Sequence, residues 1–233
     1  MTDFVTYDEL GGPGLDAAGW SPLRLPLPTG GEHVALDPNA ELAVGEGEVR
    51  VTIPRFSLAH SAKYVIRSTR QFELPPDRPA TFAVDMAVEN IDGEPGDFRR
   101  GMAAFHVFDP AVSKRVFAVV GTSTRVFAMH EQVAPAAGGA GELFYHVVES
   151  PYEDFDDDFT RLRAGEITLD RSGSTVAWRV DGHKLYEAHT LIPERAVIGF
   201  GIWTMLPERN GRSADGQGLS ARWHRFRVRG VDT

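Results

Sequence analysis

Residues 166–189 read Glu-Ile-Thr-Leu-Asp-Arg-Ser-Gly-Ser-Thr-Val-Ala-Trp-Arg-Val-Asp-Gly-His-Lys-Leu-Tyr-Glu-Ala-His. Ile167 and Leu169 recur at a spacing of two, as do Val176, Trp178 and Val180. That is the period of a half-buried β-strand. Two turn signals break the run. Arg171-Ser172-Gly173-Ser174 closes one hairpin, and Asp181-Gly182 closes a second. The Asp-Gly pair tolerates the positive φ angles that a type I′ turn requires. The stretch therefore predicts a three-strand meander.

Working outward, runs of the same kind fill the chain. Leu42–Ile53, Tyr64–Leu74 and Ala80–Asn90 alternate apolar and polar positions, as expected for strands with one packed face. Met102–Phe108, Arg115–Val120, Thr124–His130 and Leu143–Glu149 are almost continuously apolar, as in strands buried on both faces or lining a cleft. Val197–Met205 and Leu219–Arg229 supply the last strands. No helix longer than a turn or two is visible. The expectation is an all-β sandwich of about a dozen antiparallel strands. Residues 1–40, rich in Gly and Pro, are expected to wrap it through Phe4, Tyr7 and Trp20, with residues 41–233 forming a single sandwich domain.

The chain has 233 residues, with 24 Lys+Arg against 33 Asp+Glu and a formal net charge of -9. A polyanion such as nucleic acid would be repelled by that field unless a local basic patch exists. Arg222, Arg225, Arg227 and Arg229 are the candidate patch, and their alternation predicts a solvated edge strand or an outer strand face. There is no cysteine, which excludes disulfides and thiolate chemistry. The N-terminal residues lack a basic, apolar leader, and no apolar run reaches the roughly 20 residues of a membrane span. A cytoplasmic protein with no membrane partner is the expectation.

Trp178-Arg179-Val180-Asp181-Gly182 and the strand after it resemble a late strand pair of the concanavalin-like jelly rolls, a superfamily of lectins, laminarinase-type glycosidases and some polysaccharide lyases. The resemblance, over about residues 40–230, implies a concanavalin-like jelly-roll β-sandwich with a ligand cleft on its concave sheet. The glycosidases carry Glu-x-Asp-x-x-Glu on a mid-chain strand, but Val116–Val120 and Thr124–Met129 contain no carboxylate. Retaining hydrolysis needs two carboxyl groups about 5 Å apart, so that activity lacks its residues here. Arg67-Ser68-Thr69-Arg70 resembles an alginate-lyase motif but lacks its acidic residue. The closing run, Asp215-Gly216-Gln217-Gly218 through Trp223 and Phe226, resembles uncharacterised bacterial sandwiches associated with small-molecule biosynthesis.

The candidate chemistry lies in polar residues set singly into the apolar central strands. His106, His130, His146, Arg125 and Glu149 are the candidate catalytic groups. A desolvated imidazole or carboxyl group can have its pKa moved toward operating pH. If strand parity is uninterrupted, the three histidines project into one cleft, with Arg125 steadying negative charge. Tyr145, Trp203, Phe127, Met129 and Glu131 are the candidate substrate-binding residues. Gly199 and Gly201 would leave room for a flat ligand on the Trp203 indole. Trp178 reads as core. The histidines lack the close spacing of a metal site, and Glu153–Asp158 reads as a solvated acidic run before a calcium loop. No metal and no cofactor is expected.

These features fit a cofactor-independent enzyme acting by acid–base cyclisation, isomerisation or elimination on a small apolar or polycyclic molecule. A lectin-like carbohydrate-binding module, or a glycoside hydrolase or lyase using carboxylates such as Glu131 and Glu149, is the alternative.

Overall fold

A computed structural model describes residues 3–10, 12, 14–27, 30–57, 61–110, 115–132, 144–150, 158–205 and 216–231. Residues 153–157 of the expected acidic run lie outside them. The described chain forms two large antiparallel sheets and a small hairpin.

The back sheet runs in the order β16 (His183–His189), β15 (Thr175–Val180), β14 (Arg163–Asp170), β9 (Ala80–Ile91), β18 (Gly218–Arg229), β6 (Glu48–Ile53) and β5 (Glu41–Gly45), with β1 (Val5–Asp8) also pairing with β18. The front sheet runs β13 (Phe144–Glu149), β12 (Val126–Gln132), β11 (Val116–Gly121), β10 (Met102–Phe108), β17 (Arg195–Trp203), β7 (Ala62–Ser68) and β2 (Trp20–Pro22), with β8 (Phe72–Glu73) beside β17. The remaining hairpin joins β3 (Arg24–Pro26) to β4 (Glu32–Val34). Among the described residues no helix is long and apolar enough to cross a membrane.

The expected meander is β14–β15–β16, and Asp181 and Gly182 take φ of 48° and 80° at its second turn. Leu42–Ile53 corrects the sequence reading. It is two strands, because Glu46 and Gly47 take φ of 55° and 78° and fold the run into the β5–β6 hairpin. Tyr64–Leu74 is likewise cut after Ser68, whose hydroxyl donates to the Arg70 carbonyl 2.8 Å away in the bend. The N-terminal segment is built in by strand pairing. Trp20, buried against Phe200 and Phe226, also donates from Nε1 to Asp8 at 2.6 Å.

Alternate residues of both sheets meet between the layers. Val84 and Met86 of β9, Trp178 of β15 and Trp223 of β18 face Phe105 of β10, Phe117 of β11 and Phe200 of β17, all buried. Trp178 and Trp223 are thus core residues. The outer face of the back sheet is charged, and one irregularity decides its composition. Arg225 has φ of 55° and bulges β18 between His224 and Arg227. The extra residue shifts the parity of everything after it. Trp223 and Phe226 can then both point inward, while Arg222, Arg227 and Arg229 all point out. The expected outer arginine face exists, on an inner strand of the sheet, and the bulge produces it.

Candidate functional site

The outer face of the front sheet is the opposite of its counterpart. Met102, Ala104, Phe108, Val116, Ala118, Val120, Phe127 and Met129 form a second apolar cluster there, closed to solvent. Phe98, from the segment before β10, packs on Phe127 with ring centroids 5.0 Å apart. Register sorts the titratable residues onto this face or away from it. Gly199, His106, Ala118, Met129 and Val147 form one cross-strand row, with Arg67 beyond Gly199. Glu131 and Tyr145 are paired in the next row, beside Val116 and Phe108.

His130 is offset from that row by one residue. It pairs with His146, and its neighbour on β11 is Phe117. One residue of offset means the opposite face of the sheet. The His130 ring accordingly stacks on Phe117 at 5.1 Å and lies 6.0 Å from Trp178, between the layers. His146 shares that side, 6.4 Å from His130, at the sheet edge. The expected three-histidine cleft therefore does not form. No bulge is responsible, since the β10–β11–β12 ladders run without a register shift. Burial and the neighbouring Arg115 and His146 push the His130 imidazole down to about 4. It is a neutral interlayer residue whose Nε2 lies 3.4 Å from the Thr190 hydroxyl. Among the described residues no three or more His, Asp or Glu side chains are grouped to hold a metal ion.

His106 remains on the outer face. Its ring stacks on Phe108 at 5.1 Å and meets Trp203 edge-on at 5.6 Å. Burial lowers its pKa to about 3, so the ring is neutral. Among the described residues neither ring nitrogen has a side-chain hydrogen-bond partner, the Gly199 backbone only partly offsetting the burial, and Trp203 Nε1 and Arg67 Nε have no partner. Buried polar atoms are nearly always paired, so three such side chains on one face call for an explanation. Arg67 entered the sequence reading only as part of an incomplete lyase motif. Its signal was a cation on the same parity as Lys63 and Val65, at the one position of the strand that is not fully buried.

Glu131 and Tyr145 sit side by side at the far end. Burial pushes the Glu131 carboxyl up to about 7, and burial together with that carboxyl raises the Tyr145 phenol. A carboxyl group that is half protonated at neutral pH can both give and take a proton. Arg125 and Glu149 are not free to act in the way expected of them. They hold each other at 2.8 Å with both side chains 48% exposed, so each charge is neutralised at the rim.

Gly199 and Gly201 correct the reading as well. A Cβ on Gly199 would lie 2.7 Å from the Phe108 ring, and one on Gly201 would lie 2.5 Å from the Tyr64 carbonyl oxygen and 2.9 Å from Val65 Cα. The space beside Trp203 is filled by the neighbouring strands and not left for a flat ligand. Gly201→Ala is expected to cost about 3 kcal/mol, since backbone cannot yield as a side-chain tip does. An unchanged urea midpoint for that variant would show that β7 and β17 can move apart freely.

Residues 7–232 match the profile of DUF6081, a family of unknown function. The chain belongs to that family. No curated protein matches this DUF6081 chain. Its fold is similar to that of a β-1,3-1,4-glucanase (lichenase) from a mouse hindgut metagenome, at 16% identity, TM-score 0.58, and 99% and 98% coverage of the two chains. An endo-1,3-β-glucanase from Streptomyces sioyaensis gives 13% identity, TM-score 0.61, and 97% and 94% coverage. The catalytic domain of the laminarinase from Thermotoga petrophila RKU-1 gives 11% identity, TM-score 0.63, and 98% coverage of both. At such identities the likeness carries the fold, which makes the DUF6081 chain a concanavalin-like jelly roll.

Proposed function

We propose that this DUF6081 protein is a carbohydrate-active jelly roll that takes its ligand at the margin of the outer face of the front sheet, where Arg67 and Trp203 are only partly buried. The observation behind this reading is the set of buried nitrogens on Arg67, His106 and Trp203 that have no side-chain partner among the described residues. A guanidinium and an indole offer only donors, whereas a neutral imidazole offers one donor and one acceptor. A polyol meets all of them, because each hydroxyl both accepts and donates. The glucanases that share the fold lend the carbohydrate reading further support.

The chemistry does not run through two carboxylates. Glu131 and Glu149 stand at opposite ends of the β12–β13 ladder, across from Tyr145 and Phe127. Four residues of strand separate their rows, roughly 13 Å. Retaining hydrolysis needs about 5 Å and inverting hydrolysis less than about 10 Å. Any turnover instead uses Glu131 with Tyr145 as the proton-handling pair.

Laminari-oligosaccharides or mixed-linkage β-glucan oligosaccharides are expected to raise the melting temperature saturably, since they bind only the folded state. Arg67→Ala should weaken that binding about tenfold, the loss of one charge-assisted hydrogen bond. Silence toward every glucan oligosaccharide overturns the carbohydrate reading. A second reading is an acid–base enzyme for a small polycyclic, biosynthetic-type substrate, favoured by the apolar floor of Ala104, Ala118, Val120, Phe127 and Met129. Saturable stabilisation by a polycyclic aromatic compound, with glucans inert, selects it.

A further inference from the structure

One charge on the front sheet goes unbalanced. Arg67 is partly buried on β7, and among the described residues its guanidinium has no hydrogen bond and no ion pair. Its cross-strand neighbours carry no carboxylate, since Gly199 stands across from it on β17 and Ser21 on β2. Val65 and Val197, the next side chains on that face, belong to the apolar cluster. Lys63, the other cation of the strand, donates to the Ser57 carbonyl at 2.5 Å. Arg125 and Glu149 neutralise each other. Glu131 is on β12, four strands from β7, which at about 4.8 Å per strand is roughly 19 Å.

The chain balances comparable arginines elsewhere. Arg163 meets Asp181, Arg222 meets Glu48 and Arg227 meets Asp85, each within 4.0 Å. A guanidinium stays charged at every working pH, so it cannot escape the cost of desolvation by losing its proton as a lysine can. A partly desolvated charge without a counter-ion is costly, and Arg67 makes no polar contact within the described fold that offsets it. Gly199 separates it from His106, which meets Trp203 edge-on, so the charge borders the other buried nitrogens that lack side-chain partners. We infer that the counter-ion arrives with the ligand, which, on the carbohydrate reading that this rests on, is an acidic glycan whose singly charged substituent, a uronate carboxylate or a sulfate ester, pairs with Arg67. One guanidinium balances one charge, and its parallel N–H donors match the oxygens of either group. A phosphate monoester, with close to two charges, would be left half balanced. On a chain of formal net charge -9 the overall field repels such a ligand, so a preference for acidic over neutral sugar has to be local.

The test is calorimetric titration of the full chain with glucuronic acid, glucose 6-sulfate and glucuronamide at low, matched ionic strength, where screening is weak. Glucuronamide has the shape of the uronate without its charge. At least one of the two anions should bind tenfold or more tightly than the amide, and the tighter anion identifies the substituent. Arg67→Gln keeps N–H donors and loses the charge. It should bring anion and amide to within twofold of each other while changing amide binding far less. Arg195→Gln, the same charge change at a front-sheet arginine already paired with Glu73 at 2.7 Å, should keep the wild-type preference within twofold. A wild-type protein that binds the amide as tightly as both anions overturns the inference and leaves the carbohydrate reading standing. A preference that survives R67Q, or falls equally in R195Q, overturns the assignment to Arg67. Failure of all three compounds and of the glucan oligosaccharides to bind removes the carbohydrate reading itself, and the inference with it. Circular dichroism of each variant separates lost binding from lost fold.

Discussion

Asp85→Ala is expected to remove about 3 kcal/mol of stability and lower the melting temperature by roughly 10 °C. Asp85 is 5% exposed on the central strand of the back sheet. It accepts from Arg225 Nε at 2.8 Å, more closely from Arg225 Nη2, and from Arg227 Nη2 at 2.8 Å, with His224 Nδ1 3.9 Å away. Without the carboxylate, two guanidinium groups face each other across the bulge with nothing to neutralise them. Removing the carboxylate costs more than the ion pair itself contributes because Arg227, 24% exposed, stays partly desolvated, whereas Arg225, 56% exposed, is rehydrated. Asp85→Asn retains an acceptor and the side-chain shape and should cost less. Urea unfolding of both variants decides the matter. A loss below about 1 kcal/mol for Asp85→Ala would mean that the arginines are solvated independently of the carboxylate.

The second large effect is acid lability centred on His106. Its folded-state pKa is about 3 against an ordinary value of 6.5, because burial disfavours the charged ring. A depressed pKa contributes stability that is complete above 6.5 and drains away as pH falls toward 3. The full loss is on the order of 4 kcal/mol. His130, with a pKa of about 4, acts in the same direction. Glu131 acts in the opposite one. Its pKa is raised from 4.5 to about 7, so its contribution is complete below 4.5 and is lost as pH rises through 7. His106→Leu should therefore flatten the acid limb and leave the neutral limb in place. At pH 7 the variant should be no less stable than wild type, since it deletes two buried nitrogens that have no side-chain partner among the described residues. Urea midpoints at pH 7, 5.5 and 4.5 test this. Wild-type and variant curves that run parallel would refute it.

The strands were readable because their signals are local. Met102–Phe108 has the same bounds in sequence and structure, since seven consecutive buried residues leave a single reading. The Asp181-Gly182 turn announces itself by composition. The Glu46-Gly47 turn does not, because Glu is a poor predictor of positive φ, and the hairpin there was read as one strand. The candidate site was readable only in part. Tyr145, Trp203, Phe127, Met129 and Glu131 do share a face with His106, while His130 and His146 do not. Arg67 was passed over because a single arginine in a strand carries no local mark of what stands beside it.

The sequence by itself determined the all-β architecture, the three-strand meander and the absence of a glucanase carboxylate run, since each of these depends on residues close together in the chain. Only the tertiary structure decided which histidine lies on which face, which arginines are neutralised and which polar atoms go without partners. Those properties depend on the register between strands distant in sequence and on one bulged residue, Arg225, and a shift of a single position in either exchanges the two faces of a sheet.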